Sequence, residues 1–115
     1  MIKIAPSILS ADFAELGRDI RRIATADYVH FDVMDGRFVP NISIGLPVLK
    51  SIRPVTELPI DVHLMIEEPS LYAERFCDAG ADLVTMHVEA DTEENIHKAI
   101  AAIHRKGRKA GVVLK

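Results

Sequence analysis

Two stretches hold the residues whose types and spacing could do chemistry. "YVHFDVMDG", residues 28 to 36, sets His30, Asp32 and Met34 at every second position of an apolar run, and "IDVHLM" repeats the arrangement as Asp61, His63 and Met65. Alternate side chains of a β-strand share one face. His30 and Asp32 would therefore project neighbouring nitrogen and oxygen ligands, and His63 on the next strand could supply a third. Three protein ligands with coordination left for water or substrate is the pattern of a catalytic metal site, and imidazole with carboxylate suits Zn, Fe or Mn. A lone histidine is more often simply hydrogen-bonded in a core. A buried aspartate beside two histidines is costly unless something neutralises it, so His30, Asp32 and His63 together read as a metal site. Met34 and Met65 read as adaptable filler whose soft thioethers could also line an electron-rich intermediate without donating protons.

The other candidates carry weaker signals. His97 and His104 lie among charged residues and read as solvated, while His87 reads as buried without an evident role. Cys77 precedes a glycine helix end, has no adjacent base, and reads as core. Asp35-Gly36 could turn a hairpin, but Pro40 falls inside the would-be return strand. Residues 36 to 45 are therefore read as a loop covering the strand ends.

The elements that must position these residues alternate along the chain. "IKIA" is β-branched and ends at Pro6, which predicts a buried first strand. A helix is predicted over "SADFAELGRDIRRIA", with Asp12 and Glu15 as a capping box or Ser10 as N-cap. The strand at 28 to 34 follows, then a short helix over "LPVLKSIR", with Pro47 tolerable in its first turn, and the strand "IDVHLM". "PSLYAERFCDAG" reads as a helix opened by Pro69 and closed by Gly80, and "LVTMHVE" as a fourth strand. Ile96, Ile100 and Ile103 stripe a helix in "DTEENIHKAIAAIHRKG" that Asp91 and Glu94 could cap and Gly107 would stop. "GVVL" would open a fifth strand. "ADYVHFDV" and "ADLVTMHV" align without gaps, placing Asp32 opposite His87, as if each were the same βα unit.

This order predicts parallel strands with helices packed outside. Central strands of an open parallel sheet are apolar on both faces, whereas here one face is polar. The polar faces are expected to converge on a barrel interior near the strands' C-terminal ends, where barrel active sites lie.

The chain has 115 residues, 49% apolar and 27% charged, with a formal charge of -3, so one domain with a real core is expected over residues 1 to 115. Lys and Arg are scattered, which argues against nucleic-acid binding. A single cysteine excludes an intramolecular disulfide and suits a reducing interior. No run approaches the ~18 apolar residues of a membrane span and no signal core follows the N-terminus, so a cytoplasmic protein is expected.

"APSILSADF", "HFDVMDGRFVPNISIG", "DVHLM" and "HVEA" resemble the ribulose-phosphate 3-epimerase family, and the resemblance runs from Met1 to Lys115. It implies a (β/α)8 TIM barrel of the ribulose-phosphate-binding type, here a half-barrel of about (βα)4β. The implied activity is the metal-dependent inversion of D-ribulose 5-phosphate to D-xylulose 5-phosphate in the pentose phosphate pathway, with no organic cofactor. By the same resemblance His30, Asp32 and His63 would be metal ligands and Asp32 also an acid/base. Ser7 and His63 would contact the sugar phosphate, and Met34 and Met65 would flank the planar intermediate.

A whole barrel of this type has about 250 residues, and the family's later half brings a second catalytic aspartate and the phosphate-binding loops. No substitute is evident, since "GRKAG" has the wrong context and the remaining aspartates read as belonging to helices, caps or turns. Unpaired sheet edges would favour pairing with another chain. A homo-oligomer is expected, with two copies closing a pseudo-barrel that presents His63 of one toward His30 and Asp32 of the other. The alternative function is a non-catalytic half-barrel that self-assembles, and hexulose phosphates are the alternative substrates.

Overall fold

The computed structural model describes residues 1–115 and contains four parallel strands. They are β1 (Val29–Met34), β2 (Ile60–Met65), β3 (Leu83–His87) and β4 (Lys109–Val113), side by side in chain order. Parallel neighbours need crossovers, supplied here by α2 (Leu46–Ile52), α3 (Ala73–Ala79) and α4 (Glu93–Arg105), while α1 (Leu16–Arg22) precedes β1. This is the α/β, TIM-barrel-type arrangement, as a half-barrel.

The two faces of the sheet differ as the alternation of "VHFDVM" and "IDVHLM" requires. Val29, Phe31, Val33, Ile60, Val62, Leu64, Val84 and Met86 are buried and join one apolar cluster with Ile20 of α1, Leu49 and Ile52 of α2, Phe76 and Cys77 of α3, and Ile96 and Ile103 of α4. Burying each large aliphatic or aromatic side chain there contributes about 1.5–3 kcal/mol. The opposite face carries His30, Asp32, Met34, Asp61, His63, Met65 and Thr85. The strands pair without stagger, setting His30 against Asp61, Asp32 against His63, and Met34 against Met65, with Thr85 next to His63 on β3.

The expected first strand over "IKIA" does not form a ladder. Ile4 O accepts from the backbone N–H groups of Asp27 and Tyr28, and Pro6 O from that of His30, but only Ser7 and His30 make a bridge. Pro6 has no N–H to donate, and the Ile4 N–H is taken by the Asp27 carboxylate at 2.7 Å. Ile2 and Ile4 stay exposed, so no apolar burial compensates for the missing bonds.

Helix starts differ from expectation in detail. The first predicted helix is split into a 3-10 turn at Phe13–Glu15 and α1. Asp12 caps the turn, and it is Asp19 rather than Glu15 that accepts from the Asp12 N–H. Thr92, not Asp91, caps α4, because Asp91 is drawn to the hydroxyl of Ser70 at 2.6 Å. The predicted fourth strand, observed as β3, ends at His87, and Val88–Ala90 form a 3-10 turn. Residues 36 to 45 do form the loop after β1, pinned by an Asp35–Ile42 bridge and by the Ser43 hydroxyl, which donates to Asp32 O at 2.7 Å and accepts from the Met34 N–H.

Candidate metal centre

The period-two pattern on β1 and β2, with the unstaggered register, brings His30, Asp32 and His63 together. One nitrogen from each imidazole meets the same carboxylate oxygen: His30 Nε2 lies 2.9 Å and His63 Nδ1 3.2 Å from Asp32 Oδ1. The three ligand atoms all lie within 4.8 Å of one another. The hydroxyl of Ser7, at the end of the N-terminal segment bridged to β1, donates to Asp32 Oδ2 at 2.7 Å. Met34 and Met65 are half-buried register partners on the same face, at the C-terminal ends of their strands.

Two residues of the arrangement lacked an assigned role in the sequence. Asp61, which stands on β2 rather than in a helix, cap or turn, places Oδ2 2.8 Å from His30 Nδ1. His87, 6% exposed at the end of β3, places Nε2 2.8 Å from His63 Nε2. His30 and His63 thus each meet Asp32 through one nitrogen and a residue of the neighbouring strand through the other. The signal for Asp61 was its place two residues before His63 on the same face. Cys77 is buried in the core, and His97 and His104 are exposed on α4, as expected.

The electrostatics follow from these contacts. Hydrogen bonds to Asp32 and then Asp61 push the His30 imidazole up to about 10, outweighing the opposing effect of burial. Burial alone would raise the Asp32 carboxyl, but hydrogen bonds from His30, His63 and Ser7 bring it well below the usual carboxylate range. Burial, and then the neighbouring His63, lower the His87 imidazole. Two carboxylates against one imidazolium leave a surplus negative charge, and Asp61 Oδ1 is buried without a hydrogen-bond partner. Two imidazole nitrogens and a carboxylate oxygen converging in such a place fit a divalent cation of the Zn, Fe or Mn class.

A protein family model described as the ribulose-phosphate 3 epimerase family matches residues 3–115. The chain belongs to that family. It is 56% identical over 99% of its length to the ribulose-phosphate 3-epimerase of Bacillus subtilis and 52% identical over 98% to that of Synechocystis. A chloroplastic ribulose-5-phosphate-3-epimerase of Arabidopsis thaliana is 51% identical over 98% of the chain. The chain spans about half the length of these relatives, 52%, 50% and 41% respectively. The solved structure of Yersinia pestis DHPS with a pterine-sulfa conjugate superposes on 96% of the chain and 42% of its own, with a TM-score of 0.63 and 11% identity, a likeness of fold alone. No helix is long and apolar enough to cross a membrane.

Proposed function

We propose that the chain forms one side of a site that inverts carbon 3 of D-ribulose 5-phosphate to D-xylulose 5-phosphate, the epimerase step of the pentose phosphate pathway. The observation that carries this reading is the convergence of His30 Nε2 and His63 Nδ1 on Asp32 Oδ1, in a chain of this family. His30, Asp32 and His63 are the metal ligands in this reading, and residues 1 to 115 are the N-terminal half of the barrel. A divalent cation held there would act as a Lewis acid on a ketone oxygen, easing removal of the neighbouring proton.

The protein's own groups are suited to the rest. Asp61 holds the His30 proton on Nδ1, so that the proton on Nε2 is the one a bound cation would displace, the usual service of an outer carboxylate. Asp32 takes the proton from one face of the substrate, with Ser7 orienting its second oxygen. Ser7 and His63 contact the sugar phosphate. Met34 and Met65 flank the planar intermediate with groups that neither donate nor accept a competing proton. Inversion requires a second acid on the opposite face, since return from the same side regenerates the substrate. Asp61 does not serve, being committed to His30 behind the site.

The β4 edge favours a second reading, in which assembly rather than chemistry is the behaviour of this chain alone. Val112 of β4 and Leu114 just beyond it are 51% and 79% exposed, and an open edge with apolar neighbours pairs readily with another strand. A second copy of the chain would supply that strand, which light scattering would register as a dimer. The buried thiol of Cys77 suits a reducing interior such as the cytoplasm.

The deciding experiment is proton exchange at carbon 3 of ribulose 5-phosphate in D2O, followed by NMR with Zn or Mn present, on the wild type and Asp32→Asn. Exchange that depends on Asp32 supports the one-sided site, and accumulation of xylulose 5-phosphate would extend it to the full reaction. Absence of exchange in the wild type refutes catalysis by this chain alone and favours the assembly reading.

A further inference from the structure

The proposed chemistry leaves His87 unused. It is the other buried polar residue of the core region besides Asp32, it belongs to a third strand, and its only side-chain hydrogen bond is to His63. Burying an imidazole for one contact calls for a reason, because an unpaired buried polar atom is destabilising. Its Nδ1 is such an atom, with the Glu89 carboxylate at 3.6 Å, beyond hydrogen-bonding reach but close enough to attract an N–H electrostatically. Glu89 is held in place by the Lys115 backbone N–H, which donates to its other oxygen at 2.7 Å. Phe38 packs its ring on His87 with centroids 4.9 Å apart, and the His63 ring lies at the same separation on the other contact.

The 2.8 Å gap between the two Nε2 atoms admits one proton, and its owner decides what His63 can do. When His63 carries it, a neutral His63 has its lone pair on Nδ1, the nitrogen that faces Asp32. When His87 carries it, a neutral His63 must hold its proton on Nδ1, which then donates to Asp32 and cannot ligate. Asp32 draws the His63 proton to Nδ1 while no cation is bound. Glu89 favours the first arrangement, the one a cation replacing that proton requires, since it attracts a proton to His87 Nδ1 and leaves His87 Nε2 as the acceptor.

We propose that His87 is a positioning residue that fixes His63 in the tautomer whose Nδ1 lone pair points at the metal centre. The inference rests on the metal reading above and deepens it. The ligand is a divalent cation, and the role of His87 is to select a tautomer of the ligand His63 without touching the cation itself.

The test uses zinc alone, titrated against a competing chromophoric chelator, on the wild type, Asp32→Asn, His87→Phe and His87→Gln. His87→Phe keeps the ring contacts and removes the acceptor, and is expected to weaken zinc binding about 10- to 100-fold, the usual effect of losing an outer partner. His87→Gln offers an amide oxygen to the same His63 N–H and is expected to recover most of the loss, which mere filling of space would not do. His87→Phe binding zinc as tightly as the wild type, or His87→Gln binding it as weakly as His87→Phe, overturns the inference while leaving the metal site standing. Zinc binding indifferent to Asp32→Asn overturns the metal site and the inference with it.

Discussion

Replacing Arg53 by Met should cost stability while leaving the candidate metal centre intact in the folded protein. The Arg53 guanidinium, at the end of α2, donates to four oxygens: Gly80 O at 3.0 Å, Asp82 Oδ2 at 2.8 Å, Thr56 O at 2.8 Å and Leu58 O at 2.7 Å. Asp82 Oδ2 also accepts from the Ile60 N–H at 2.9 Å, so the cluster ties together the segments that enter β2 and β3. A hydrogen bond to a charged group is worth about 1.5–3 kcal/mol net. Arg53 is 27% exposed, so water replaces part of what is lost, and about 3 kcal/mol is a fair total for all four. At roughly 4 °C per kcal/mol for a domain of this size, the midpoint should fall by about 12 °C. Thermal unfolding by circular dichroism measures that, and zinc titration well below the midpoint measures the site. The cluster lies at the N-terminal ends of the strands, the end that in barrels serves stability rather than chemistry. A midpoint shift under about 4 °C, or a loss of zinc affinity in the fully folded variant, would refute the reasoning.

Two further outcomes follow from the same contacts and from α4. Gly80 sits at φ +123° and an added Cβ would meet Arg53 Cδ at 2.5 Å, so Gly80→Ala should destabilise by about 1–3 kcal/mol from the backbone alone. Its additional steric part should shrink in an Arg53→Ala background, which removes the Cγ and Cδ atoms at 2.8 and 2.5 Å and leaves only Cβ at 3.1 Å, and a double-mutant cycle in urea would detect this. Asp91 is raised by burial but held below the ordinary carboxylate range by Ser70, Asn95 and the Thr92 N–H. The unfolded chain therefore binds that proton more readily, and the stabilisation is full above about pH 4 and lost as pH falls through the lower folded value. Asp91→Asn should flatten the pH dependence of stability in that acid range, and urea midpoints that keep the wild-type slope would contradict this.

Much of this architecture could be read from alternation alone. The run of Val29, Phe31 and Val33 against His30, Asp32 and Met34 states both that a strand is present and that its two faces have different surroundings. The error over "IKIA" has a local cause, because a β-branched run shows the wish to extend but not who will answer its hydrogen bonds, and Pro6 and Asp27 leave few to answer. The α4 cap was ambiguous by one residue for a similar reason: Asp91 and Thr92 are both good caps, and the choice depends on Ser70, which is distant in sequence. Asp61 and His87 lay on the right faces from the start. Their partners were hidden because register between strands is a tertiary fact, and nothing in "IDVHLM" says that residue 61 stands beside residue 30.

That register also explains how the site can be held firmly without relying on loops. His30 of β1 is fixed by Asp61 of β2, and His63 of β2 is fixed by His87 of β3, so the partner of each histidine comes from the next strand in the sheet. The backbone ladder sets the spacing between strands, and the apolar packing of Phe31, Val62, Leu64, Val84 and Met86 sets the register. A slip of one residue would turn the apolar set toward the polar face and expose it, which is why register is strongly specified where one face is buried. The same slip would carry Asp61 or His87 into the helical layer, away from its histidine. Geometry at the candidate metal centre is therefore a by-product of the hydrophobic pattern on the opposite face, and substitutions that loosen that core should disturb the site even where they touch none of its residues.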